Sequence, residues 1–135
     1  MNYTQCAQQH LDTFASIRGW EGKYRQLMQL GKKLAPLAQE HKQDHNLVKG
    51  CESNVWLQVS KNDNGQYRFA VDSNARIVKG LLVIVIAAYN QLTAQQIAQV
   101  DIDSYIGQLD LTKHLSPSRN NGIHAIIEQI QQYGR

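Results

Sequence analysis

Cysteine is scarce in this sequence: Cys6 and Cys51 are the only two in 135 residues, too few for a disulfide framework. The N-terminus has no charged segment followed by an apolar one. No export signal is therefore expected, and both thiols are expected free in a reducing cytoplasm. Long hydrophobic runs are missing as well. The longest, Leu81 to Tyr89, is half of what a membrane span needs, so no membrane association is expected. Charge of one sign is equally thin. The net charge is +3, the basic residues scatter from Arg18 to Arg135, and Lys32-Lys33 is their only adjacent pair. A nucleic-acid partner normally leaves a basic stripe, and this chain has none. What remains is ordinary for a soluble globular chain, 42% hydrophobic and 19% charged. As a single domain over residues 1–135 it buries roughly 68% of its unfolded surface.

Along the chain the hydrophobic period changes twice. Tyr3, Cys6, Ala7, His10, Leu11, Phe14 and Ile17 recur at steps of three and four, the spacing of an amphipathic helix. Cys6 falls on its apolar face, where packing is the expected role of a free thiol. After Gly19 a second helix opens at Trp20 and carries Tyr24, Leu27, Met28, Gly31 and Leu34. Pro36 closes it, because the residue before a proline avoids helical torsions. Residues 37–49 are mostly polar and suit an exposed segment. Alternation then takes over. Val55, Leu57 and Val59 oppose Trp56, Gln58 and Ser60, Asn62-Asp63-Asn64-Gly65 makes a turn, and Tyr67, Phe69 and Val71 oppose Arg68 and Ala70. That is a hairpin with one buried face.

Asp72 or Ser73 is placed to cap the next helix. From Ala75 to Tyr89 that helix is apolar on nearly every face, which puts it at the centre of the fold. Its β-branched residues leave a strand as the alternative. Thr93 opens a short helix with Ile97 and Val100, and Asp101 or Asp103 another with Tyr105, Ile106 and Leu109. Ser116-Pro117 starts the last, striped by Ile123, Ile126, Ile127 and Ile130. Helices, hairpin, helices point to an α+β fold, a small antiparallel sheet packed against several helices.

Chemistry is best sought at Gly50-Cys51-Glu52-Ser53-Asn54-Val55-Trp56. Glycine lets the backbone bend where other residues cannot, and the thiol of Cys51 follows it at the mouth of a strand. A buried, inert cysteine is the competing reading. His41, Asp44 and His45 have helical spacing but lack a third metal ligand, which favours a solvated face. His45, His114 and His124 are available as bases, yet nothing ties any of them to Cys51. Arg76 and Arg119 each fall in the first turn of a helix, where a cation opposes the helix dipole by roughly 0.3–1 kcal/mol. Each is either a surface arginine reaching water or part of an anion-friendly spot. One thiol is too few for a structural zinc or iron–sulfur site. It is enough for a covalent carrier.

Four blocks, in order, resemble the SufE/CsdE family of cysteine-desulfurase sulfur acceptors. They are Trp20-Glu21-x-Lys23-Tyr24 with Leu30-Gly31 and Leu34; Gly50-Cys51-x-Ser53-x-Val55-Trp56; Asp72-Ser73-x-Ala75-x-Ile77-Val78-Lys79-Gly80; and Leu111-Thr112-x-His114-Leu115-Ser116-Pro117-Ser118-Arg119-x-x-Gly122. The resemblance implies that Cys51 takes persulfide sulfur from a pyridoxal-phosphate-dependent cysteine desulfurase, of the SufS or CsdA type. It implies that the chain stimulates that desulfurase and passes the sulfur to a downstream acceptor or cluster scaffold for iron–sulfur cluster assembly. The pyridoxal phosphate is the partner's, so the chain itself carries no cofactor and no independent enzymatic activity. Arg119, and less directly Arg76, would balance the persulfide's charge if their helix starts lie near Cys51. The implied fold is that of SufE and IscU, with three strands, one more than the alternation shows. Many relatives carry an acidic residue where this chain has Asn74. Cys6 matches no motif. The competing function is an iron–sulfur or metal-binding scaffold using Cys51 with His45 or His114.

Overall fold

The computed structural model describes residues 3–48, 53–111, 113 and 115–135. Helix α1 runs Gln5–Ala15 and α2 runs Gly19–Lys33. A polar segment with two short 3₁₀ turns, Gln39–His41 and Asp44–Asn46, leads toward strand β1, Val55–Lys61. Strand β2 is Gln66–Ser73, helix α3 is Arg76–Ala87 and strand β3 is Leu92–Thr93. Helices α4 (Ala94–Ala98), α5 (Ile102–Leu109) and α6 (Pro117–Gln131) complete the chain, and a 3₁₀ turn at Gln132–Gly134 follows. The fold is α+β, as the alternation of helical and strand periods implied. Among the described residues no helix is long and apolar enough to cross a membrane.

The sheet is antiparallel in the order β1-β2-β3. The β1–β2 hairpin turns at Asn62–Gly65, where the Gly65 amide donates to the Asn62 carbonyl at 3.0 Å. Gly65 takes a positive φ of +78°, which glycine adopts at no steric cost at such a turn. The side-chain oxygen of Asn62 holds the turn from within, accepting from the Asn64 and Gln66 amides. Strand β3 is the short strand that the resemblance implied and the alternation did not reveal. It pairs at only two positions, Gln66↔Thr93 and Tyr67↔Leu92, too few residues to show a period. Thr93 also closes a capping box with Gln96 on α4, so one residue ends the sheet and starts a helix.

Helix α3 is the centre. Ile77, Gly80, Leu81, Leu82, Ile84, Val85 and Ala87 are buried between α2, β2 and α6. Val78, Lys79, Val83 and Ile86 keep partial contact with solvent, so the helix is not enclosed on every side. Its crossing with α2 is close. A Cβ on Gly80 would collide with the Leu27 carbonyl, and one on Gly31 with the Arg76 carbonyl. Both glycines are there for backbone approach. The stripe of α6 is buried as its spacing demanded, at Ile123, Ile126, Ile127 and Ile130.

Two expectations are corrected. Neither Asp72 nor Ser73 caps α3: its N-cap is Ala75, without a side-chain bond. Strand β2 runs on through Ser73, and both side chains are used elsewhere. Cys6 is exposed rather than packed. Helix α1 buries the row Ala7, Leu11 and Phe14, and Cys6 lies off that row although it falls within the same three-to-four spacing.

Candidate functional site

Three elements converge on one small apolar pocket. Ser53 and Val55 reach it from the entrance of β1, Val78, Leu81 and Leu82 from α3, and Ser118, Arg119, Gly122 and Ile123 from the first two turns of α6. It holds about 30 Å³ of space, more than the ~10–15 Å³ that a single water needs. Arg119 is thus brought to the residues that follow the Gly50-Cys51 pair in sequence. Cys51 itself, with Lys49, Gly50, Glu52, Thr112 and His114, lies outside the described residues.

The start of α6 is built as its sequence foretold. Ser116 is the N-cap and accepts from the Arg119 amide at 3.2 Å, and Pro117 occupies the first turn. That fixes Arg119 as the third helical residue, with an exposed side chain. Among the described residues no carboxylate forms an ion pair with it, nor with Arg76. Arg76 goes elsewhere: it is the first residue of α3, and its carbonyl and aliphatic stem lie against Gly31 of α2. The pocket takes one of the two arginines, not both.

The approach to α6 is anchored from α2. Lys23 is nearly buried, and its ammonium donates to the Asp110 carbonyl at 3.3 Å and meets the Asp110 carboxylate at 3.4 Å. Asp110 ends α5 in the left-handed conformation, φ 55°, which aspartate tolerates better than most residues. Lys113 pairs with the same carboxylate at 3.1 Å. Hydrogen bonding from Lys113 is the largest influence on the Asp110 carboxyl; desolvation opposes it, and the Lys113 charge with the hydrogen bond and charge of Lys23 tips the balance, holding the group below its ordinary range. Lys113 and Asp110 are both exposed, so their pair adds little stability.

On the other side of the hairpin, Val48 and Val55 face each other. The Val48 amide donates to the Val55 carbonyl at 2.8 Å, and Leu47 bridges Trp56. Both valines are buried, at 3% and 2% exposure. The chain therefore enters and leaves the Cys51 segment through one paired point on the core.

Asp72, expected as a helix cap, has a different place. The carboxylate is buried, 1% exposed. One oxygen accepts from the Leu37 amide at 3.0 Å and meets Lys42 at 3.0 Å; the other accepts from the Ser73 amide at 2.8 Å and meets Lys79 at 3.4 Å. Burial alone pushes its pKa up, but Lys42, the Ser73 and Leu37 amides and Lys79 together outweigh that and hold it below the ordinary aspartate range. Ser73 is engaged too, its hydroxyl donating to the Asn54 carbonyl at 2.7 Å and accepting from the Ala75 amide. Only the Asp72-Ser73 block signalled this cluster in sequence. Lys42, 30 positions away in a polar run, carried no signal at all.

Among the described residues the two candidate histidines lie apart. His45 is exposed in a 3₁₀ turn, and His124 is exposed on α6 in a separate groove with Asp103 and Ile106. Among the described residues no group of three His, Cys, Asp or Glu is placed to hold a metal ion.

A family model described as "SufE: Fe-S metabolism associated domain" matches residues 8–134. The fold is similar to that of a protein from Thermus thermophilus, described as hypothetical and solved in solution. The TM-score is 0.76 and the identity 18%, over 99% of this chain and 96% of that one. At that identity the likeness speaks for the fold alone.

Proposed function

Because the chain belongs to the SufE family, whose domain is associated with Fe–S metabolism, we propose that Cys51 accepts persulfide sulfur from a pyridoxal-phosphate-dependent cysteine desulfurase and passes it on for cluster assembly. The observation that carries this reading is the pocket joining Ser53 to Arg119. Ser53 follows Cys51 by two residues, and two residues of chain reach no farther than about 7 Å. A small apolar space with one cation at its rim suits a group that must be kept from water and small thiols and is anionic at neutral pH.

The step is thiol exchange. The Cys51 thiolate attacks the terminal sulfur of the desulfurase persulfide, forming a new S–S bond. The bond from that sulfur to the desulfurase cysteine breaks, and the electron pair leaves as a thiolate on the desulfurase. Cys51 then carries the persulfide. Clearing the desulfurase cysteine in this way is how the chain stimulates its partner. Arg119 balances the charge of the thiolate before transfer and of the persulfide after it; a cation beside a thiol raises the reactive fraction. The cofactor chemistry belongs to the desulfurase, and this chain contributes the thiol, the pocket and the docking surface.

The test is mass spectrometry after incubation with a cysteine desulfurase, pyridoxal phosphate and cysteine. One added sulfur is expected on Cys51 and none on Cys51→Ser, which stays folded. Sulfur taken up by Cys51→Ser but not by Cys6→Ser would overturn the assignment. Tight stoichiometric iron or zinc binding that Cys51→Ser abolishes, without sulfur transfer, would favour a metal scaffold instead.

A further inference from the structure

We propose that Asp72 is a positioning residue for the segment leading into Gly50-Cys51, tying that segment to the sheet through Lys42 and the Leu37 amide; the proposal rests on the sulfur-acceptor reading of Cys51. The division of labour between its two oxygens is the main observation. Oδ2 serves the segment, through Leu37 N and Lys42 Nζ, both at 3.0 Å. Oδ1 serves the body of the fold, through Ser73 N at 2.8 Å and Lys79 Nζ on α3 at 3.4 Å. The backbone of Asp72 is paired opposite Trp56 in the hairpin, so the carboxylate itself is rigidly held.

The segment needs such a tie. From Ala35 to Leu47 no side chain is buried or packed against the apolar core, so the core does not locate it. Among the described residues its other side-chain contacts are mostly internal: Asn46 Nδ2 donates to the His41 carbonyl at 2.8 Å, Gln43 Nε2 donates to the Gln39 carbonyl at 3.0 Å and the His41 ring lies 3.7 Å from Glu40, while the same ring meets Gln58 at 3.4 Å. Lys42 is the crossing point, since its ammonium also lies 5.7 Å over the Trp56 ring. The segment then reaches Val48, the first buried residue, whose amide pairs with Val55. Cys51 comes three residues later. The segment is thus held on Asp72 through Leu37 and Lys42, on Gln58 through His41, and at its end by Val48 on Val55, and the last contact sets how the chain enters the Cys51 segment. Stability alone is a poor reason for this arrangement, because a buried ion pair gains little over well-packed apolar residues of the same size. Fixing one arrangement of an otherwise unanchored segment is a better one.

The experiment compares wild type with Asp72→Asn, Lys42→Gln, Lys79→Gln and the Asp72→Asn/Lys42→Gln double variant. Three readouts are taken: amide hydrogen exchange, alkylation of Cys51 by iodoacetamide across about pH 6 to 10 (bracketing the ordinary thiol pKa near 8.5), and single-turnover sulfur transfer from a persulfidated desulfurase at saturation. In Asp72→Asn, exchange across residues 37–48 is expected to quicken while β2 and α3 keep their protection. The alkylation profile should change, and transfer should slow by on the order of tenfold to a hundredfold, the range for a misplaced reacting group. Lys42→Gln should reproduce these effects and the double variant should add nothing to Asp72→Asn, as for residues acting through one contact. Lys79→Gln removes the same charge from the α3 side and should leave exchange across residues 37–48 as in wild type. Wild-type alkylation and transfer in a folded Asp72→Asn would overturn the proposal, as would equal effects of Lys79→Gln and Lys42→Gln on the segment. Should Asp72→Asn not fold, Lys42→Gln decides in the same way: wild-type exchange and alkylation overturn it. If the wild-type chain takes up no sulfur, the acceptor reading fails, and alkylation and exchange still decide whether Asp72 holds the segment.

Discussion

Replacing Gly122 by alanine separates a working pocket from a gap in packing. Gly122 lies inside α6, on the wall of the pocket it shares with Ser53 and Arg119. Alanine is more favourable than glycine in a helix interior by about 0.8–1.0 kcal/mol, so the helix itself gains by the change. Gly122 lines a space of about 30 Å³, and a methyl group added there is close in size to the single sulfur atom that a persulfide adds. If the pocket receives that sulfur, the two compete. The expectation is a variant more stable by roughly 1 kcal/mol, a rise in melting temperature of about 3–5 °C at this chain length, together with slower sulfur uptake. Thermal unfolding followed by circular dichroism gives the first quantity. Single-turnover transfer from a persulfidated desulfurase, read as the mass of the Cys51 peptide, gives the second. A more stable protein with undiminished uptake would refute the reasoning, because the pocket would then be a packing gap with no part in transfer.

Arg119→Ala should change stability by no more than about 0.5 kcal/mol, as for other exposed positions, and should slow transfer. A large fall in melting temperature with normal transfer would make Arg119 structural. Gly80→Ala should destabilise by about 1–3 kcal/mol in a urea titration despite the gain in helix propensity, since its Cβ would meet the Leu27 carbonyl; an unchanged midpoint would contradict the close α2–α3 crossing. Asp72 gives a pH dependence of known sign. Its native pKa is lowered, so its stabilisation is complete above the ordinary aspartate value of about 3.9 and is lost as pH falls through the lowered native value. The stability gap between wild type and a folded Asp72→Asn should therefore be constant near neutrality and close on acidification, and a gap that widens toward acid would refute this.

Much of the fold was legible because its causes are local. Capping chemistry and period placed Thr93, Asp101 or Asp103, and Ser116-Pro117 at helix starts, and Asn62–Gly65 at the hairpin turn, since each depends on a few consecutive residues satisfying one another's amides; the structure takes Asp101. The apolar run from Ile77 to Ile86 marked a buried central element, because that much apolar surface has to leave water; helix over strand rested on a cap at Asp72 or Ser73 that the structure does not have. Cys51 was singled out by its place at the mouth of a strand and by resemblance, and it lies outside the described residues. Arg119 and Arg76 read alike in sequence, each a cation in a helix first turn, and only packing separated them, sending one to the pocket and the other against Gly31. Cys6 shared the spacing of a buried face and still came out exposed, because period fixes the direction of a side chain but not how wide the covered stripe is. Strand β3 is too short to show a period and exists because Tyr67 and Gln66 are there to pair with it. The Asp72 cluster draws on Leu37, Lys42, Ser73 and Lys79, which lie on both sides of the hairpin. A buried charge finds its partners across space, and sequence spacing carries no record of which lysine the fold brings to it.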